Sequence, residues 1–266
     1  MLYENLYKKK FSFGKNWQNF NKNITNKNIN NSIKYFKNFT KFVNLKNKTF
    51  IDVGCGSGIN SLLAIKLNAK KVLSIDIDEN SVSACKLLRK KYKISNKNWI
   101  IKQVSILDTS KIKKLGKFDF IYSWGVLHHT GDMNKAFDNL FLLAKKKSYI
   151  YVSIYNKYLT SNTWKIIKYF YASSNNFIKK IMEKIYITIY YIGLKLNKYS
   201  IKEYKKSFVL KRGMSFRHDI IDWLGGYPYE YLSFEDLSAI FFKKGYSILS
   251  FKKSNGVGCN EIFVKR

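Results

Sequence analysis

Proline is almost missing from this chain: among 266 residues, Pro228 is the sole example. Cysteine occurs three times, at Cys55, Cys85 and Cys259, an odd and scattered set with no C-x-x-C. It predicts neither a disulfide framework nor zinc and suits a reducing compartment. Histidine is equally scarce (His128, His129, His218), and no cluster has metal-ligand spacing, so no metal is expected. Nothing reaches the roughly 18 uncharged apolar residues of a membrane span. The opening MLYENLYKKK lacks an apolar h-region, so no signal peptide is expected and a cytoplasmic location is.

Acidic residues are also few: 17 stand against 49 basic ones, a formal net charge of +32. Such a charge invites a nucleic-acid reading. The basic residues argue against it. They are nearly all lysines, scattered as pairs and triplets such as Lys8 to Lys10 and Lys145 to Lys147, and only Arg89, Arg212, Arg217 and Arg266 are arginines. Arginine is the side chain suited to bidentate contacts with bases and phosphates. Solvated surface lysines are the simpler account, and a nucleic-acid partner is disfavoured.

What is present centres on Thr49 to Gly58, TFIDVGCGSG. Phe50, Ile51 and Val53 flank Asp52; then Gly54, Gly56 and Gly58 alternate before the helix-like run SLLAIKL. This reads as a buried strand, a glycine turn and a helix start whose free N–H groups suit a polar or negative ligand. The spacing is D-x-G-x-G-x-G, not the G-x-G-x-x-G of dinucleotide folds. A second apolar run, VLSIDID, ends on Asp76 about 20 residues past the turn, where a carboxylate can accept from both hydroxyls of a ribose.

FIDVGCGSG, SIDID and then FDFIYSWGVLHHTGD at 118–132 resemble the class I S-adenosylmethionine-dependent methyltransferases, within them most the small-molecule, ubiquinone-biosynthesis-like branch. FSFGKNW near the start and RGMSFRHDIIDWLGGYPYE (212–230) look like one bacterial subgroup of these enzymes. The resemblance implies an α/β fold: a Rossmann-like, mostly parallel seven-stranded sheet with helices on both faces, plus a helical cap insertion. It implies S-adenosylmethionine as cofactor, with S-adenosylhomocysteine as product. Cofactor contacts would come from Asp52, Gly54, Gly56 and Gly58, from Asp76 and Ile77, from Ser105 and Ile106 around the adenine, and from Trp124 at the methionine end. Many similar enzymes carry Asp where Ser105 stands here, and Asp108 is near enough to substitute.

Along the chain, residues 1–48 form an N-terminal helical and aromatic segment with Phe11, Phe13, Trp17 and Phe20 and a helix expected over 30–43. Trp17 either staples this segment to the core or folds over the pocket, as N-terminal segments of similar enzymes do. Residues 49–155 form the cofactor-binding core. Strands are expected over 49–53, 71–76, 99–104, 118–122 and 148–154, with helices over 59–67, 79–92 and 132–144. In such sheets the loops after the strands line one pocket. Residues 156–232 exceed the minimal fold and read as a helical cap with acceptor-site residues. Its lysine-flanked run Ile185 to Leu194 leaves peripheral membrane contact open, with packing over the site preferred. Residues 233–266 supply a helix capped by Ser233 and a closing hairpin at 247–253 and 261–266.

Two of the three histidines fall beside the expected pocket. His129 is the expected base, with His218 and Asp219 as an alternative pair; His128 would shape the pocket. Trp17, His128, Trp223, Tyr227 and Tyr229 are the expected acceptor contacts. The expected reaction is in-line methyl transfer to an oxygen of a small molecule. An RNA-modifying enzyme and a non-catalytic cofactor-binding module are the rivals. Relatives that methylate base amines or cytosine carbon carry Pro-Pro or Pro-Cys motifs, which a chain with one proline lacks. The oligomeric state is not legible.

Overall fold

A computed structural model describes residues 13–22, 24–204 and 216–266. Two helices lead: α1 (Phe13–Lys22) and α2 (Asn26–Phe39). The core then alternates β1 (Thr49–Val53), α3 (Ile59–Lys66), β2 (Lys71–Asp76), α4 (Glu79–Lys91), β3 (Trp99–Gln103), α5 (Thr109–Lys113), β4 (Phe118–Trp124), a 3-10 turn (Leu127–His129), α6 (Met133–Leu142) and β5 (Ala144–Tyr155). The cap is α7 (Ser161–Ser173), α8 (Asn176–Leu196) and α9 (Phe216–Gly225); α10 (Phe234–Lys243), β6 (Ser247–Lys252) and β7 (Cys259–Lys265) close the chain.

The sheet has seven strands in the order β3-β2-β1-β4-β5-β7-β6. Five are parallel; β7 runs antiparallel between β5 and β6. Because both faces are covered, β1, β2 and β4 are buried along nearly their whole length and not on alternate residues. One face packs Ile51, Val53, Ile75, Ile121, Val152 and Ile154 against α6 and α10. The other is aromatic: Phe50, Phe120, Tyr151 and Phe263 pack beneath Phe36 of α2. Phe50 and Phe120 stack at 5.1 Å, and Phe36 meets Phe120 at 5.5 Å. Each such pair adds about 0.5–1.5 kcal/mol beyond its buried area.

The helix expected over 30–43 lies earlier, because Thr25 caps it: its side chain accepts from Asn28 N–H, and the Asn28 side chain accepts from Thr25 N–H. Ser233 caps α10 as expected, accepting from Asp236 N–H at 3.0 Å. Residues 13–22, read from the sequence only as an aromatic-anchored segment, form a full helix. Phe11 and residues 205–215 lie outside the described residues, as does the His218 side chain.

Candidate active site

The switch in strand order falls between β1 and β4, and ligands in open α/β sheets bind past the carboxyl ends of the strands there. Gly54, Gly56 and Gly58 all have positive φ (74°, 50° and 82°), a conformation that explains glycine at each. The loop wraps the end of β2: Asp76 Oδ2 accepts from Gly56 N–H at 3.0 Å, and Oδ1 accepts from Asp78 N–H at 2.9 Å. The carboxylate keeps acceptor capacity for a further donor. Burial pushes the Asp76 pKa up to about 6, against the pull of the Asp78, Gly56 and Ile77 N–H groups, so it remains mostly ionised at neutral pH. Ile77, next along, is half exposed.

Asp52 lies deeper. It is buried, accepts from Ser61 Oγ at 2.5 Å, and has its pKa pushed up to about 7 by burial. Ser61 in turn meets Ser74 Oγ, which accepts from Trp99 Nε1–H. Asp52 therefore anchors α3 to β1 and β2 beneath the loop. Ser105 Oγ accepts from Leu107 N–H, and Asp108 caps α5, bound to Ser110 and Lys111. Ile106 is buried. Trp124 closes β4, with its Nε1–H donated to Glu261 at 3.1 Å.

Helix α1 lies over the glycine loop. A Cβ on Gly56 would come within 2.9 Å of Trp17 Nε1, and one on Gly14 within 2.5 Å of Ser81 N. Gly14 N–H donates to Asp78, Gln18 reaches Asn80, and the buried Asn21 side chain donates to Ser57 and Ala84 carbonyls. Asn16 donates to Asp222 of α9 at 2.8 Å, and the Phe13 ring lies 5.3 Å from His129. The helix thus ties the loop, the end of β2 and the cap together.

The acceptor-side candidates converge more closely than their spacing in sequence promised. His128 and His129 sit with ring centroids 4.4 Å apart, His128 lies 4.0 Å from Tyr155, and Tyr155 meets Trp223 and Tyr229 at 5.3 and 5.0 Å. His128 Nδ1 accepts from Tyr155 N–H at 3.1 Å, which puts its proton on Nε2. That Nε2 and the Trp223 Nε1 are buried and, among the described residues, have no hydrogen-bond partner. His129 Nδ1 lies 2.8 Å from the Pro228 carbonyl. Burial lowers the His129 pKa to about 3, opposed by the Pro228 and Gly226 backbone. Both histidines are therefore neutral at physiological pH. Asp219 lies in the first turn of α9, on the same helix as Trp223. Tyr227 is buried and stacks edge-on with Tyr169 of α7.

Sequence reasoning missed Lys168. It is 0% exposed, and its ammonium lies over three rings: Trp223 at 3.9 Å, Tyr229 at 5.0 Å and Tyr155 at 5.3 Å. Its Nζ donates to the Trp223 carbonyl. Desolvation pulls its pKa down to about 7, with Cys259, Asp222 and Asp219 pulling the other way. Asp222, similarly desolvated, is pushed up to about 8. A signal existed. On helical spacing Lys168 shares the apolar face of Trp164, Ile167 and Tyr171, where an unneutralised lysine is out of place.

The model of a methyltransferase domain family matches residues 44–203. A ubiquinone biosynthesis O-methyltransferase of Pelagibacter ubique is 31% identical over 137 residues, 52% of this chain and 54% of that protein. A ribosomal protein L11 methyltransferase of Legionella pneumophila is 62% identical over only 40 residues, 15% of this chain and 14% of that one. The chain thus spans from about a seventh to about half the length of these curated relatives. Among solved structures, PKMT2 of Rickettsia typhi in complex with AdoHcy aligns with a TM-score of 0.60 at 16% identity, covering 86% of this chain and 52% of that one. A magnesium protoporphyrin IX methyltransferase of Synechocystis with bound SAH aligns at 0.53 and 17%, covering 90% and 81%. These likenesses are of fold. The family model covers more than half of the chain, and the strand order, glycine loop and strand-end acid agree with it: the chain belongs to the class I S-adenosylmethionine-dependent methyltransferases.

Proposed function

We propose that the chain transfers the methyl group of S-adenosylmethionine to an oxygen of a small, oxygen-bearing acceptor. The observation that carries the cofactor half is the Asp76–glycine-loop pairing: a strand-end carboxylate held by loop N–H groups and set beside three glycines of positive φ. That donor set fits an adenosine, whose ribose offers two vicinal hydroxyls and whose base needs an apolar flank such as Ile77 and Ile106. When bound, the cofactor would supply a sulfonium methyl: the acceptor oxygen would attack its carbon, the C–O bond forming as the C–S bond breaks and a neutral thioether leaves.

The chain's residues then have three tasks. The glycine loop and Asp76 fix the nucleoside, and alignment of this kind supplies several kcal/mol of a transfer barrier. The His128 Nε2–H and Trp223 Nε1–H, unpartnered among the described residues, offer two donors to acceptor oxygens, amid the rings of Tyr155, Trp223 and Tyr229. The third task is to take the acceptor's proton. His129 was the sequence-based choice, but a nitrogen whose pKa is about 3 is a poor match to a hydroxyl proton at neutral pH. Lys168, in the same cluster and with its pKa pulled down by burial to about 7, is the better-matched base. We assign the proton to Lys168 Nζ and hydrogen-bonding of the acceptor to the histidine pair.

The name of the Pelagibacter relative supports an oxygen acceptor; the Legionella match is too short to bear on it. The experiment is turnover of S-adenosylmethionine against a panel of phenols and hydroxy acids. It should give S-adenosylhomocysteine with at least one of them, at a rate that rises with pH through about 7. A rate flat from pH 5 to pH 9 would remove Lys168 as the base.

A further inference from the structure

A helix on the surface of a folded domain normally turns its polar side outward. Helix α8 does not. Its inward stripe (Met182, Tyr186, Ile187, Tyr190 and Tyr191) packs with α7 and α9. Its outward face repeats the apolar pattern at steps of three and four residues: Phe177, Ile181, Ile185, Ile189, Ile192 and Leu196, from 41% exposed at Ile181 to 78% at Leu196. The rest of that face is Lys180, Lys184, Thr188 and Lys195, all exposed. It holds no carboxylate, because Glu183, the helix's single acid, accepts from the Tyr171 hydroxyl at 2.8 Å. The adjoining α7 also exposes Ile166 and Phe170, and Leu159 just before it is 93% exposed. The helix is not long and apolar enough to cross a membrane.

We propose that this face of α8 rests on an anionic lipid surface, with the isoleucines and Phe177 at the headgroup–acyl boundary and Lys180, Lys184 and Lys195 reaching phosphates. Charge selects this occupant. The chain carries +32, so a symmetric second copy would set the same lysines against each other around the apolar stripe. An acidic soluble partner would answer the lysines and leave six large apolar side chains unexplained. An anionic bilayer meets both at once, each surface lysine adding about fivefold in affinity. Helix α7, which carries Lys168 on its inward side, would link the docked surface to the acceptor pocket. The docking itself does not depend on methyl transfer.

The test is flotation of the full chain with vesicles of phosphatidylcholine and phosphatidylglycerol in equal amounts, against phosphatidylcholine alone. Two double variants, I185S/I189S and K180E/K184E, are run beside it with thermal melts and light scattering. The wild-type chain should float with the anionic vesicles only and be released by high salt. Each variant should lose about tenfold or more in binding while melting within a few degrees of wild type. The proposal fails if the wild-type chain does not float with anionic vesicles. It fails if flotation survives both variants, since some other surface would then bind. It also fails if light scattering shows a dimer that I185S/I189S dissolves, since a second copy would then cover the face.

Discussion

At the proposed nucleoside end, the groups are backbone N–H groups and one carboxylate, drawn from residues 54–58 and 76–78. At the proposed acceptor end they are side chains from residues 13, 16, 128–129, 155, 168 and 222–229, brought together by the cap and α1. The first end depends on strand ends and turn geometry, which the sheet fixes. The second depends on long side chains packed in a low-dielectric cluster, where a lysine and an aspartate both lose their usual charge preference. Apart from α1, which touches both, one end can therefore be altered without touching the other.

The largest separation is expected at Lys168. Lys168→Met should lower kcat/KM by about 10²–10⁴-fold while leaving affinity for S-adenosylhomocysteine unchanged, as isothermal titration would show. Equal losses in both would mean that the two ends are not separable. Next is Gly14→Val, whose side chain would collide with the α4 backbone at Ser81 and unseat α1. Here both affinity and turnover should fall, by about tenfold, because Trp17 would leave the loop. His129→Ala should reduce kcat by about tenfold or less, with the pH profile keeping its rise near 7; loss of that rise would return the base role to His129.

The smallest effects are in stability and pH. The folded pKa of Lys168 lies below its unfolded value, about 7 against 10.5. Stability from keeping it neutral is present above the unfolded value and is lost as pH falls through about 7. Lys168→Met removes that dependence, so its melting temperature should gain on wild type by a few degrees at pH 6 and by less at pH 10. For Asp76 the ionised form is the stronger hydrogen-bond acceptor, so nucleoside affinity should weaken as pH falls through about 6.

These contrasts explain what could be read from the chain. The D-x-G-x-G-x-G turn and the acid ending VLSIDID are local patterns; the fold class came with the family they resemble, and the loop they mark is seen clasping Asp76. Asp52 reads from sequence like a ligand-facing acid, yet it points at Ser61, because strand alternation alone does not reveal which buried hydroxyl lies opposite. Lys168 escaped notice because a lysine among forty-odd others carries no local mark; only the helical phase shared with Trp164 and Tyr171 sets it apart. Asn16–Asp222 spans 206 residues, a separation no motif encodes. The outward stripe of α8 was visible as an apolar run, but its exposure depended on which face α7 and α9 would take.

The most direct measurement is calorimetric titration of the purified chain with S-adenosylhomocysteine, in parallel with NAD and with the Asp76→Ala variant. The account predicts one site per chain for S-adenosylhomocysteine, none for NAD, and a loss of about 100-fold or more in the variant, its charge-assisted hydrogen bonding having gone. Binding of NAD in place of S-adenosylhomocysteine, or an affinity indifferent to Asp76, would contradict it.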